Sequence, residues 1–149
     1  TILGARYRTS DTFQWFFGAV YTTGYDDNLF LPAIGFHWEV SEYSDLLFAG
    51  PYLRYKYSIT DSLDLILGGR FSGSKWNTRA GYGERDFRLK AYRTSATLQW
   101  NLHEKHAVLV SFGWELAREV EIKASDGTLM LEQDLENAPY FELGYRFRF

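Results

Sequence analysis

The sequence predicts an all-β protein, an antiparallel up-and-down transmembrane β-barrel with eight or nine strands in this chain. Three observations predict it. Almost every segment alternates large apolar residues with small or charged ones, giving each strand a greasy face and a mixed face. A four-fold internal repeat places a tight turn after similar stretches. Aromatic residues make up 19% of the 149 residues, more than a small soluble core uses. Tyr and Trp favour places where one end is apolar and the other wet.

Taken in order, 13–21 sets Phe13, Trp15, Phe17, Ala19 and Tyr21 against Gln14, Phe16, Gly18 and Val20. Residues 30–40 set Phe30, Ile34, Phe36, Trp38 and Val40 against Ala33, Gly35, His37 and Glu39. In 63–73, Leu63, Leu65, Leu67 and Phe71 oppose Asp64, Gly68, Arg70 and Ser72. In 92–102, Tyr92, Thr94, Ala96, Leu98, Trp100 and Leu102 oppose Arg93, Ser95, Thr97, Gln99 and Asn101. In 107–117, Val108, Val110, Phe112, Trp114 and Leu116 oppose Ala107, Ser111, Gly113, Glu115 and Ala117, with one Leu109 among them. The last strand, 140–149, puts Phe141, Leu143, Tyr145, Phe147 and Phe149 on its apolar side.

The repeat reads "YRTSDTFQWFFG", "WEVSEYSDLLFAG", "YSITDSLDLILGG" and "WNLHEKHAVLVSFG". Each has an aromatic, a short polar turn, an apolar strand and then glycine, so all four turns are expected on one side of the membrane. Pro32, Pro51 and Pro139 are each expected to start a strand running toward that side, where proline is tolerated. The other side then holds the connections 22–29, 74–86 and 123–138 and a tight one at Gly50-Pro51. This scheme gives nine strands, whereas bacterial single-chain barrels have even numbers. Either N-terminal strands of a larger barrel are missing, or 45–59 is one long strand and the count is eight.

The orientation expected is apolar side outward. The mixed faces hold Gly, Ala and Ser among Arg and Glu, which suits a narrow lumen with paired charges rather than an open water face. Aromatics at strand ends suit an interfacial girdle, with Tyr7, Trp15, Trp38, Tyr57 and Trp100 as its members. The lumen charge network is expected from Arg54, Lys56, Asp64, Arg70, Arg93, Glu115, Glu142, Arg146 and Arg148. Arg6, Arg8, Glu119 and Glu121 are also expected inward.

Composition removes several classes. There is no Cys, hence no disulfide, no thiolate chemistry and no Cys-type zinc site. The net charge is −3 with no basic block, so no nucleic-acid partner is expected. No apolar run approaches the length of a membrane-spanning helix. Residues 1–149 read as a single barrel domain, or the C-terminal portion of one.

Candidate chemistry is sparse. His37 is expected in the lumen beside Glu39, where a His–carboxylate pair could serve as a general base. His103 and His106 flank the turn "HEKH", too few ligands for a metal site. A lipid A-modifying barrel enzyme pairs a strand-end His with Ser; no His-x-Ser occurs, and Ser41 falls on the periplasmic side. A soluble lipocalin-like binder is the other alternative. No enzyme activity, cofactor or metal is expected.

The ending "ELGYRFRF" resembles the insertion signal that outer-membrane barrels present to the barrel-assembly machinery, through Glu142, Gly144, Phe147 and Phe149. The stretch "LPAIGFHWEVSEYSDLLFAGPYLRYKYSITDSLDLILGGRF" and the ending "APYFELGYRFRF" resemble a family of uncharacterised bacterial outer-membrane barrels. That resemblance implies longer members, with these motifs in their C-terminal half. It carries no activity and no site residues. The implied location is the bacterial outer membrane. The implied partners are its lipid, the assembly machinery, and other outer-membrane or periplasmic proteins. The implied role is structural or transport-related, in a larger assembly.

Overall fold

The computed structural model describes residues 2–23, 28–80, 83–124 and 126–148. Ten antiparallel strands form one sheet: β1 (Ile2–Arg8), β2 (Phe13–Thr23), β3 (Asn28–Ser41), β4 (Ser44–Ala49) and β5 (Tyr52–Thr60), then β6 (Leu63–Ala80), β7 (Gly83–His103), β8 (His106–Ala124), β9 (Leu129–Leu135) and β10 (Ala138–Phe147). The order is β1 through β8 and then β10, with β9 also on β8. Neighbours in the sheet are consecutive in sequence except β10, which shares the flank of β8 with β9, so the topology is an up-and-down meander. The sheet is not closed into a barrel: β1 pairs only with β2, and β10 only with β8. Among the described residues no helix is long and apolar enough to cross a membrane.

The eight-strand expectation fails at Gly50. This residue takes a φ of 59°, the chain reverses there, and 45–59 becomes the β4–β5 hairpin. The loop expected over 123–138 contains a tenth strand. β9 and β10 lie end to end along one flank of β8, with Leu135 opposite Arg118 and Ala138 opposite Glu115. They form one interrupted row, so the ten strands make nine rows. At the interruption β8 bulges: Ala117 has a φ of 47°, and its N–H donates to Asn137 Oδ1 at 3.2 Å.

Two other expected loops are mostly strand. β6 and β7 run on to Ala80 and from Gly83, and β2 and β3 reach Thr23 and Asn28, because the ladders continue without a break. Pro32 does not start a strand but lies inside β3. That part of β3 extends past the end of β4, which begins pairing only at Gly35, so the proline sits at an edge. Pro51 is in the β4–β5 turn and Pro139 is the second residue of β10.

The four repeats share one hydrogen-bond device. The last turn residue accepts a backbone N–H from a following strand: Glu39 to Thr12 at 2.8 Å, Ser58 to Tyr43 at 2.7 Å, Asn101 to Ser62 at 2.7 Å and Arg148 to Lys105 at 2.9 Å. All four turns therefore lie at one end of the sheet, as the repeat predicts.

Gly113 shows how tightly the mixed face is built. Tyr140 lies opposite it, donates its hydroxyl to the Thr94 carbonyl at 3.1 Å, and holds the Arg93 guanidinium 4.4 Å from its ring centroid. A Cβ at Gly113 would collide with the Thr94 carbonyl oxygen and the Tyr140 ring. Gly113→Val should cost about 1–3 kcal/mol through overpacking, read as a lower urea midpoint of the folded protein.

Candidate functional site

Directly opposed residues of an antiparallel pair share a face. One row across the sheet reads Arg8, Gln14, His37, Leu47, Arg54, Gly68, Ser95, Gly113, Tyr140. The adjacent row, on the other face, reads Tyr7, Trp15, Phe36, Phe48, Leu53, Gly69, Thr94, Trp114, Pro139. The burial is inverted relative to a soluble sheet. Asp64, Thr97 and Gln99 are buried on the mixed face, while the apolar face leaves Leu98 and Phe112 46% and Leu143 69% exposed. Among the described residues the buried apolar side chains are only Ala91 and Ala107.

The mixed face is concave. A cavity of about 330 Å³ gathers Tyr52 and Arg54 of β5, Arg70 of β6, Arg93 of β7 and Glu142 of β10. A flat sheet would hold β5 and β10 well apart at ~4.8 Å per strand, so the sheet curls over this face. A second cavity of about 440 Å³ lies at the turn end, lined by Lys56, Asp64, Arg146 and Arg148.

Ion pairs knit this concave face across strands. Asp45 accepts from Arg54 Nη2 at 2.6 Å and faces His37 Nε2 at 3.4 Å. Asp64, 4% exposed, is met by Lys56 Nζ at 3.2 Å. It also accepts Ser58 Oγ at 2.8 Å, Asn101 Nδ2 at 3.0 Å and Gln99 Nε2 at 3.3 Å. Glu115 bridges Arg93 at 2.5 Å and Arg118 at 3.4 Å, and Arg93 also faces Glu142 at 3.8 Å. Arg70 stands opposite Arg93. Among the described residues, no carboxylate pairs with Arg6, Arg8, Arg70, Arg146 or Arg148.

Glu119 and Glu121 were expected on this face and are not. The β8 bulge inserts one residue opposite β7, so Leu116 faces Tyr92 but Glu119 faces Lys90. From there outward both carboxylates share the face of Phe71 and Tyr92. Glu119 pairs with Lys90 at 2.9 Å, and Glu121 with Lys90 and with Arg88 at 3.6 Å. Lys75 and Asp86, 3.2 Å apart, lie there too.

The bulge thus marks a line across the sheet. It passes the Gly50–Pro51 turn, Phe71 on β6, Tyr92 on β7, Leu116 on β8 and the break between β9 and β10. Below it the convex face is apolar. Beyond it that face is charged, and the opposite face becomes apolar with Phe87, Leu89, Val120, Ile122 and Leu131. On β7 the apolar stretch runs from Leu102 to Tyr92. Those ten steps, at ~3.3 Å each, run roughly 33 Å along the strand. In the turn beyond β8, the Thr128 N–H bonded to Asp126 at 2.9 Å holds that carboxyl below the usual range.

Tyr7, Trp15, Trp38, Tyr57 and Trp100 all lie on the apolar convex face toward the turn end. Trp15 and Phe36 join an aromatic cluster with Phe13 at centroid distances of 5.3–5.8 Å. The opposite boundary, which sequence reasoning missed, carries Phe71 against Tyr92 at 5.4 Å, with Trp114 close by opposite Thr94. Its signal was available: Lys90 and Arg88 continue the parity of Leu98 and Tyr92, so the apolar run on β7 stops at Tyr92.

Of the terminal motif, Glu142 and Gly144 face the concave side and Phe147 the convex side, while Phe149 lies outside the described residues. His37 is not held by Glu39. Its partners are Asp45 and Gln14, whose Nε2 lies 3.2 Å from His37 Nδ1, because the β3–β4 register brings Asp45 alongside. His106 Nδ1 contacts the Tyr145 hydroxyl, and its ring lies 6.3 Å from that of His103. Among the described residues no group of three His, Asp or Glu side chains could hold a metal.

The geometry defines an all-β meander whose greasy face is exposed and whose charges lie on the concave side below the bulge line and on the convex side beyond it. The chain belongs to the family described as "Domain of unknown function (DUF6268)", whose model matches residues 5–148. No curated protein matches the chain, and no solved structure does.

Proposed function

We propose that this chain forms the wall of an integral β-barrel of the bacterial outer membrane. Its role is structural or transport-related within a larger outer-membrane assembly, and it is not an enzyme. One observation carries the reading. On β6, β7 and β8 the convex face is apolar up to a single line where charge begins. The roughly 33 Å of apolar β7 would span about 25 Å, the height of a barrel's apolar band, at the strand tilt of ~40° usual in such barrels. A soluble sheet has no reason to expose Leu143 and Phe141 while covering Asp64. On this reading the turn end is periplasmic and the paired β6–β7 and β8–β9 extensions project outward. The assembly machinery reads Glu142, Gly144, Phe147 and Phe149, and the ion pairs of the concave face hold neighbouring strands in register.

The test is fractionation of the native polypeptide. It should sediment with outer membranes, resist urea extraction, and run faster unheated than boiled after detergent extraction. A protein that purifies as a monodisperse species without detergent would overturn the reading. Planar-bilayer conductance of the same preparation separates a transporting wall from a purely structural one.

A further inference from the structure

The sheet has two open edges, and their directions constrain what closes it. β1 runs toward the turn end, reaching it at Arg8. β10 also runs toward that end, with Phe147 beside His106. The two edges are parallel, as nine antiparallel rows require. They cannot pair antiparallel with each other, and every seam in the sheet is antiparallel. Only an odd number of added rows restores that pattern. A second copy inserted in the same direction does not supply it, since its β10 beside β1 is again parallel.

We propose that an odd number of strands preceding β1 in the same polypeptide closes this wall, with carboxylates on the lumen-facing positions of the strands that meet β1 and β10. The proposal rests on the barrel reading above. Its occupant follows from the meander: from β1 to β9 each sheet neighbour is a sequence neighbour, and β10 continues the row of β9, so the strand beside β1 is the one before it. Its charge follows from the edges. Arg6 and Arg8 on β1 and Arg146 on β10 face the concave side, and Arg148, just past β10, lines the turn-end cavity, all with no carboxylate partner among the described residues. On the inner strands Arg54, Lys56 and Arg93 are paired, whereas Arg70 stands opposite Arg93 with no carboxylate partner among the described residues. Charges enclosed in a low-dielectric wall require such partners. The edge strands also expose their apolar sides strongly, Leu3 by 72% and Leu143 by 69%, as strands lacking one neighbour do.

Residues 1–149 contain no cysteine, and any upstream cysteine would first be replaced by serine so that introduced disulfides report without background. In the full-length native polypeptide, Leu143→Cys would be combined with one cysteine walked along the upstream strands and oxidised with diamide. The expected result is an intramolecular disulfide, at alternate positions of a single upstream strand. Disulfides between copies, or none at any upstream position, would overturn the proposal. Arg146→Glu should lower the urea midpoint of the folded protein. Reversal of an acidic residue on the cross-linked strand should restore it, and failure of every such reversal would overturn the charge assignment. Loss of the barrel reading itself would appear separately, as protein in the soluble fraction whatever the disulfides show.

Discussion

Ala96→Lys is expected to destabilise the folded protein in lipid by about 2–4 kcal/mol, the penalty for a lysine near the bilayer midplane. Ala96 is exposed on the convex face of β7, between Leu67 of β6 and Phe112 of β8. It sits halfway between Tyr92 and Trp100, near the centre of the apolar band. Alanine has almost no side chain to lose, so the substitution removes little packing. Were this face bathed in water, a surface lysine would change stability by about 0.5 kcal/mol or less. The control is Met130→Lys on β9, 52% exposed and beyond the line where the convex face becomes charged. Urea unfolding of the native polypeptide in lipid vesicles should show a large loss for the first and almost none for the second. Equal small losses would mean that the apolar face does not meet hydrocarbon.

That contrast depends on knowing where the band ends, and the sequence disclosed this only in part. Strand identity was legible because period-two alternation survives in nearly every segment. The shared end of the four turns was legible because the repeat keeps aromatic, turn and glycine in phase. The β8 bulge was not. In "WELAREVEI" the apolar residues Trp114, Leu116, Val120 and Ile122 keep one parity, so simple alternation puts Glu119 and Glu121 on the face of Glu115. The positive φ of Ala117 breaks the phase without glycine to announce it. Sequence position alone also misassigned the partner of His37, because spacing of two along a strand names Glu39 whereas Asp45 arrives only through the β3–β4 register. β9 was hidden for a similar reason: "LMLEQDL" mixes apolar and acidic residues, and its strand state comes from the β8 ladder.

Asp64→Leu is expected to cost about 3 kcal/mol, the lower end of the range for orphaning one member of a buried ion pair. Four donors converge on this carboxylate: Lys56, Ser58, Gln99 and Asn101. Its side chain is 5% exposed, whereas that of Lys56 is 34% exposed. The ammonium can therefore turn partly toward water in the turn-end cavity, which keeps the cost from the top of the range. The amides of Gln99 and Asn101 have less freedom, although Gln99 Nε2 also donates to Asn101 Oδ1 at 2.8 Å. Asp64→Asn keeps an acceptor for Ser58 and should lose about half as much, since charge-assisted hydrogen bonds are about twice as strong as neutral ones. The double variant Lys56→Met/Asp64→Leu separates pairing from packing. Without the orphaned ammonium it should recover at least ~1 kcal/mol relative to Asp64→Leu, measured as a coupling energy by urea unfolding. If the double variant were as unstable as the sum of its singles, the Lys56–Asp64 contact would contribute no coupling. The cross-strand pairs of the concave face would then be bystanders to a register fixed by backbone and turns alone.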